Sequence, residues 1–116
     1  MNTEDPLAGL RSELRRGVLV MAVLSRLRTE HYGYSLRKDL GDYGLNIEES
    51  TLYPLIRRLE KQGLLESEWR EEDGRRKRFY KLSPMGETTL RHLQEEWEDV
   101  SSALERIMGT ESALGG

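Results

Sequence analysis

The sequence contains no cysteine, one phenylalanine, three prolines and no apolar run of bilayer-spanning length. The missing thiols exclude disulfides, thiolate nucleophiles, iron–sulfur clusters and thiolate zinc sites, and they fit a reducing compartment. A membrane-spanning helix needs about 20 apolar residues in succession. Met1 to Leu10 carries Glu4 and Asp5 where a signal peptide has a basic stretch, so no signal peptide is read there and a cytoplasmic location is expected. Catalytic groups are scarce as well. His31 and His92 are the only histidines, and no Gly-rich phosphate loop, H-E-x-x-H or G-x-S-x-G occurs. The pairs Glu48-Glu49 and Glu95-Glu96 read as helix-surface charge. The sequence therefore points to no enzyme, no metal and no cofactor.

What is present is one domain's length, 116 residues, with 36% hydrophobic and 34% charged residues. Such a chain folds if each helix carries a single apolar stripe. The net charge of −3 argues against a sequence-blind DNA coater, but its distribution matters more. Residues 1–82 hold 16 Lys/Arg and 14 Asp/Glu, whereas residues 83–116 hold 2 and 7. The acidity lies in the C-terminal segment.

Along the chain, Asp5-Pro6 is a helix-start signal, a cap followed by proline at the first helical position. Firm helical periodicity runs from Leu10 to Leu27, through Leu14, Val18 and Met21, and the apolar run Val18 to Leu24 predicts burial on more than one side. Gly17 inside it marks either a tolerated glycine or a close helix approach. A short second helix is expected from Tyr34 to Leu40, and a third from Glu49 to Gln62, stopped by Gly63. Pro54 requires the third helix to begin close to Glu49 or to kink. Asp73-Gly74 is a tight-turn signal between two strands. With those two residues as the turn, Leu65 faces Leu82, Ser67 faces Tyr80 and Trp69 faces Arg78 on the apolar side. Glu66 then faces Lys81 and Glu68 faces Phe79 on the other, and Trp69 under Arg78 makes a cation–π pair. Ser83-Pro84 opens a last helix whose Leu90, Leu93, Trp97, Val100, Leu104 and Ile107 follow a heptad seam. That seam has too few partners within one small chain, so it predicts a homodimer. The expected organisation is an N-terminal arm at 1–9, a winged helix-turn-helix at 10–82, a dimerisation helix at 83–109 and a flexible tail at 110–116. The fold class is mainly α with a small β hairpin.

Within the third helix, Leu52, Leu55, Ile56 and Leu59 form the core face. At 100° per residue, Ser50, Pro54, Arg57 and Lys61 point the opposite way, with Thr51, Tyr53 and Arg58 on the flanks. Hydroxyl, aromatic and arginine groups on an outward face suit a DNA major groove. Arg75, Arg76, Lys77 and Arg78 at the hairpin tip suit phosphate or a minor groove, while Glu71, Glu72 and Asp73 before them allow a turn whose charges pair across the strands.

The runs His31-Tyr32-Gly33-Tyr34-Ser35-Leu36 and Ser50-Thr51-Leu52-Tyr53-Pro54-Leu55-Ile56-Arg57-Arg58-Leu59-Glu60-Lys61-Gln62-Gly63-Leu64-Leu65 resemble the helix-turn-helix of the PadR family of bacterial transcriptional regulators. The resemblance continues through Trp69, Gly74-Arg75, Tyr80, Leu82-Ser83-Pro84 and Gly86. It implies a homodimeric winged-helix repressor on an inverted-repeat operator in double-stranded DNA, with the last helix packed on the partner subunit. It also implies Thr51 and Tyr53 as reading contacts and Tyr34 and Lys38 as phosphate contacts. Some members of the small branch of the family, which this chain resembles in having one long C-terminal helix, bind flat, apolar molecules at the dimer interface beside a tryptophan of that helix, and the resemblance puts Trp97 at that position as a site for a planar aromatic effector. The competing reading is a winged-helix module that docks protein through its acidic last helix. Salt dependence of DNA binding separates the two.

Overall fold

The computed structural model describes residues 5–115, with side chains to residue 109. Seven elements follow in order: α1 Pro6–Arg26, β1 His31–Tyr32, α2 Gly33–Asp42, α3 Glu49–Lys61, β2 Leu65–Glu72, β3 Arg75–Leu82 and α4 Pro84–Gly115. Asp5 caps α1, accepting from the Leu7 N–H at 3.1 Å. The helix thus begins at Pro6, and the expected arm loses residues 6–9 to it. Residues 1–4 of that arm, and Gly116 of the expected tail, lie outside the described residues.

The core gathers one stripe from each helix. Val23, Leu24 and Leu27 of the α1 end meet Leu36 and Leu40 of α2, Leu52, Ile56 and Leu59 of α3, and Leu90 of α4. The breadth of burial expected over Val18 to Leu24 is corrected. Only Val23 and Leu24 are buried within α1, and Leu10, Leu14 and Val18 are exposed. Nothing approaches Gly17 within 4 Å, so this chain offers no close helix contact there.

The hairpin has the expected register throughout, from Leu65↔Leu82 to Trp69↔Arg78 and on to Glu72↔Arg75. Asp73 and Gly74 both adopt positive φ, 53° and 75°. That is the backbone a two-residue turn needs to follow the strand twist. The sheet nevertheless has three strands, order β1-β3-β2. His31 pairs with Tyr80 and Tyr32 with Phe79 on the free edge of β3. This corrects the two-stranded hairpin and explains Phe79. It is buried on the side expected to be polar, with the Tyr32 ring edge-on at 5.4 Å and the Arg70 guanidinium 4.6 Å from its centroid.

Ser83 joins the wing to α4. Its hydroxyl accepts from the Gly86 N–H at 2.9 Å and donates to the Gly63 carbonyl at 2.6 Å. Arg28, just past α1, donates twice to Glu87 in the first turn of α4, at 2.9 and 3.0 Å. Beyond Leu93, which packs against the core, α4 leaves the body. Trp97, Val100, Leu104, Ile107 and Met108 are about half exposed or more. Leu90 is 0% exposed and belongs to this chain's own core, which removes it from the expected interface. The expected stop at Gly109 is also corrected. Gly109 keeps a helical backbone, and α4 continues through the expected tail to Gly115. No helix among the described residues is long and apolar enough to cross a membrane.

Candidate nucleic-acid interface

The third helix has a hydrophobic face that fixes its roll. Leu52, Leu55, Ile56 and Leu59 are buried, which turns Ser50, Pro54, Arg57 and Lys61 outward, all exposed. Pro54 sits in the second turn, where its missing N–H removes one bond to the Ser50 carbonyl. The helix runs through it from Glu49 to Lys61, and Gly63 ends it with φ +83°.

Two hollows border the outward strip. Tyr53 and Arg57 face one of about 440 Å³ that also touches Tyr34, Trp69 and Lys77. Thr51, Pro54 and Arg58 face a larger cleft towards α1. Of the residues expected to touch DNA, Tyr34, Tyr53, Arg57 and Lys77 share the smaller hollow and Thr51, Pro54 and Arg58 the larger, while Lys38, Ser50, Lys61, Arg75 and Arg76 line neither. Tyr53 is half-buried, its ring lying against Gly33 at the start of α2. Its phenol end is the part against Gly33, and both residues line the smaller hollow. Tyr34 is exposed on the first turn of α2, and Lys38 is exposed one turn further on.

The wing charges divide in two. Arg75 and Arg76 are exposed and have no carboxylate partner among the described residues. Lys77 lies over the Tyr32 ring at 4.3 Å and 3.5 Å from Glu72, with its side chain 20% exposed. Arg78 donates to Glu60 at 3.0 and 3.1 Å. Cross-strand pairing thus takes Lys77, onto Glu72, while Arg78 is held by Glu60 of α3, and the tip arginines keep no carboxylate among the described residues. Two cations lie against the Trp69 ring, Arg76 at 4.9 Å and Arg78 at 5.6 Å from its centroid. Arg57, Arg58 and Lys61 of α3 have no ion pair among the described residues. Burial holds the Tyr80 phenol above its ordinary pKa, so it stays neutral at the floor of the smaller hollow.

A polar cluster fixes how α2 meets the sheet. Ser35 donates to the Tyr32 carbonyl and accepts from the Tyr32 N–H, at 3.0 and 3.1 Å. His31 Nδ1 lies 2.9 Å from the same hydroxyl. Arg26 donates to both oxygens of Asp39, which holds that carboxyl below its ordinary pKa. These contacts join residues 26 to 39 across three elements, and sequence periodicity carries no sign of them.

A three-helix body, a wing flanking the third helix and a long departing fourth helix are shared with solved regulators. Residues 20–92 match the Transcriptional regulator PadR-like family. The chain belongs to that family. A crystal structure of a PadR family transcriptional regulator from Eggerthella lenta has 43% sequence identity with this PadR-like chain and a TM-score of 0.82, covering 88% of this chain and 91% of that one. A PadR-like regulator from Bacillus cereus has 27% identity and a TM-score of 0.75, covering 84% and 97%. The transcriptional regulator Rv3488 of Mycobacterium tuberculosis is 31% identical over 105 residues, which span 90% of this chain and 95% of Rv3488. The PadR-like family consists of DNA-binding transcriptional regulators, and the winged helix-turn-helix of this chain is its DNA-binding unit.

Proposed function

We propose that this PadR-like chain is a homodimeric repressor that reads an inverted-repeat operator with α3 and holds the backbone with its wing. The observation that carries this reading is the outward strip of α3, in which Arg57 and Lys61 stand exposed and unpaired beside Ser50 and Pro54. An arginine is bidentate to guanine in the major groove, and unpaired tip arginines suit phosphate. Tyr34 and Lys38 on α2 reach the backbone on the flank. The dimer is supported by two apolar stripes with nothing to cover them in one chain, Leu10, Leu14 and Val18 on α1 and Trp97, Val100, Leu104 and Ile107 on α4. Leu93 closes the seam where it meets the body. A two-fold dimer places half-sites about 10 bp apart, centre to centre, or at a multiple of that. Trp97, 48% exposed on this stripe, offers a face for a planar aromatic effector between the subunits.

The test is protection of the DNA flanking the chain's own gene, repeated over a salt series. A two-fold protected site whose affinity falls steeply with salt supports the reading. Indifference to duplex DNA at modest salt supports the protein-docking alternative instead.

A further inference from the structure

The arginines of the body fall into two groups. Arg26, Arg28, Arg37, Arg70 and Arg78 each hold a carboxylate. Arg11, Arg15, Arg16, Arg57, Arg58 and Arg91 hold none among the described residues, and Arg15, Arg16 and Arg58 of these line one cleft of about 710 Å³ between the middle of α1, the loop before α3 and α3 itself. The cleft's apolar lining includes Leu19, Ile47 and Leu55, and Glu48 is the one acid among its described residues. Its size is that of a small-molecule site.

Position separates this cleft from the dimer surface. At 100° per residue, Arg16 and Leu19 lie about 160° and 140° round α1 from the centre of the Leu10, Leu14 and Val18 stripe, and Arg15 lies about 100° from it. A partner centred on the exposed stripe faces away from Arg16 and Leu19, with Arg15 at the boundary between the two surfaces. Duplex phosphate would satisfy the guanidinium groups but leave the apolar lining wet. A cation-rimmed, apolar-lined cleft is matched by a molecule that has both an anionic end and an apolar body.

We propose that the α1–α3 cleft binds a small amphiphilic anion, an alkyl or aryl carboxylate or sulfonate. Its head lies on Arg15, Arg16 and Arg58, and its body on Leu19, Ile47 and Leu55. Arg58 is also on the flank of the outward strip of α3, so an occupied cleft withdraws it from DNA. That consequence rests on the reading of α3 as the DNA-contacting helix, whereas the binding itself does not.

The experiment titrates the full chain with anilinonaphthalene sulfonate and follows the probe's emission. Bound probe is then challenged with decanoate and with decyltrimethylammonium. Saturable enhancement is expected, reversed by decanoate and not by the cation. Two independent variants, Arg15→Gln with Arg16→Gln, and Arg58→Gln, should each weaken probe binding about tenfold, as loss of a charge-assisted hydrogen bond does. All three arginines are exposed, and each variant is melted beside the parent to show that it is folded. Arg91→Gln, at an exposed arginine of α4 outside the cleft, should leave the probe's affinity unchanged. Absence of saturable enhancement overturns the proposal. So does a probe signal lost in Trp97→Ala and kept in both cleft variants, which assigns it to the α4 stripe. Arginine variants that lose operator affinity with unchanged probe binding make these cations phosphate contacts only. Arginine variants that turn monomeric mean that a second copy fills the cleft.

Discussion

The Tyr53 ring lies so close to Gly33 that a Cβ built on the glycine would stand 2.7 Å from Tyr53 Cε1 and 3.2 Å from its hydroxyl. The first residue of α2 and α3 are thus in contact through a glycine that no larger residue replaces without movement. Gly33→Ala should destabilise the fold by about 1–3 kcal/mol, the usual cost of overpacking. At about 4–8 °C per kcal/mol for a domain of this size, thermal unfolding resolves it. The double variant Gly33→Ala with Tyr53→Ala should lose less than the sum of the singles, since residues in contact couple. Additive losses would mean that the alanine is accommodated without moving Tyr53.

The hairpin register was readable because Asp73-Gly74 specifies a two-residue turn, and a two-residue turn leaves one pairing for every residue beyond it. β1 was not readable. Two residues, His31 and Tyr32, carry no period, and they form a strand only because β3 offers a free edge. The outward strip of α3 followed from the spacing of Leu52, Leu55, Ile56 and Leu59, but the packing of Tyr53 against Gly33, twenty residues away, did not. Heptad spacing in α4 was visible, yet it does not say where the helix leaves the body. Leu90 and Val100 have the same spacing signal, one inside the core and one outside.

Acid should weaken the α1–α2 contact. Arg26 holds Asp39 deprotonated below the ordinary carboxylate pKa of about 3.9. A depressed folded pKa contributes stability that is present above the unfolded value and is lost as pH falls through the folded one. Below about pH 4 the melting temperature of the parent should therefore fall more steeply than that of Asp39→Asn, which has no proton to take up. Parallel curves would show that the pair contributes nothing, as solvent-screened pairs often do.

Charge on the exposed seam should separate the subunits. Val100→Glu or Leu104→Glu places carboxylates on a surface expected to be covered in the dimer, where an unpaired charge is strongly unfavourable. Sedimentation should show a parent of twice 13.5 kDa and a 13.5 kDa variant. A parent that sediments as the monomer at micromolar concentration removes the dimer.

The two kinds of wing cation should behave differently. Arg75→Ala and Arg76→Ala should each weaken binding to all duplexes alike and reduce the salt slope by about one. Lys77→Ala should do less, because Lys77 is already folded onto Tyr32 and Glu72. Equal effects would mean that Lys77 unfolds from that position on DNA.

The most direct measurement is the specificity ratio of Arg57→Ala, its affinity for the footprinted operator divided by that for a scrambled duplex at fixed salt. Arg57 stands in the middle of the outward strip of α3 with no ion pair among the described residues. If α3 reads bases, operator binding should weaken by about 1–3 kcal/mol with a much smaller loss on scrambled DNA, so the ratio falls. Equal losses on the two duplexes would make Arg57 a phosphate contact, and no loss on either would contradict α3 as the reading helix.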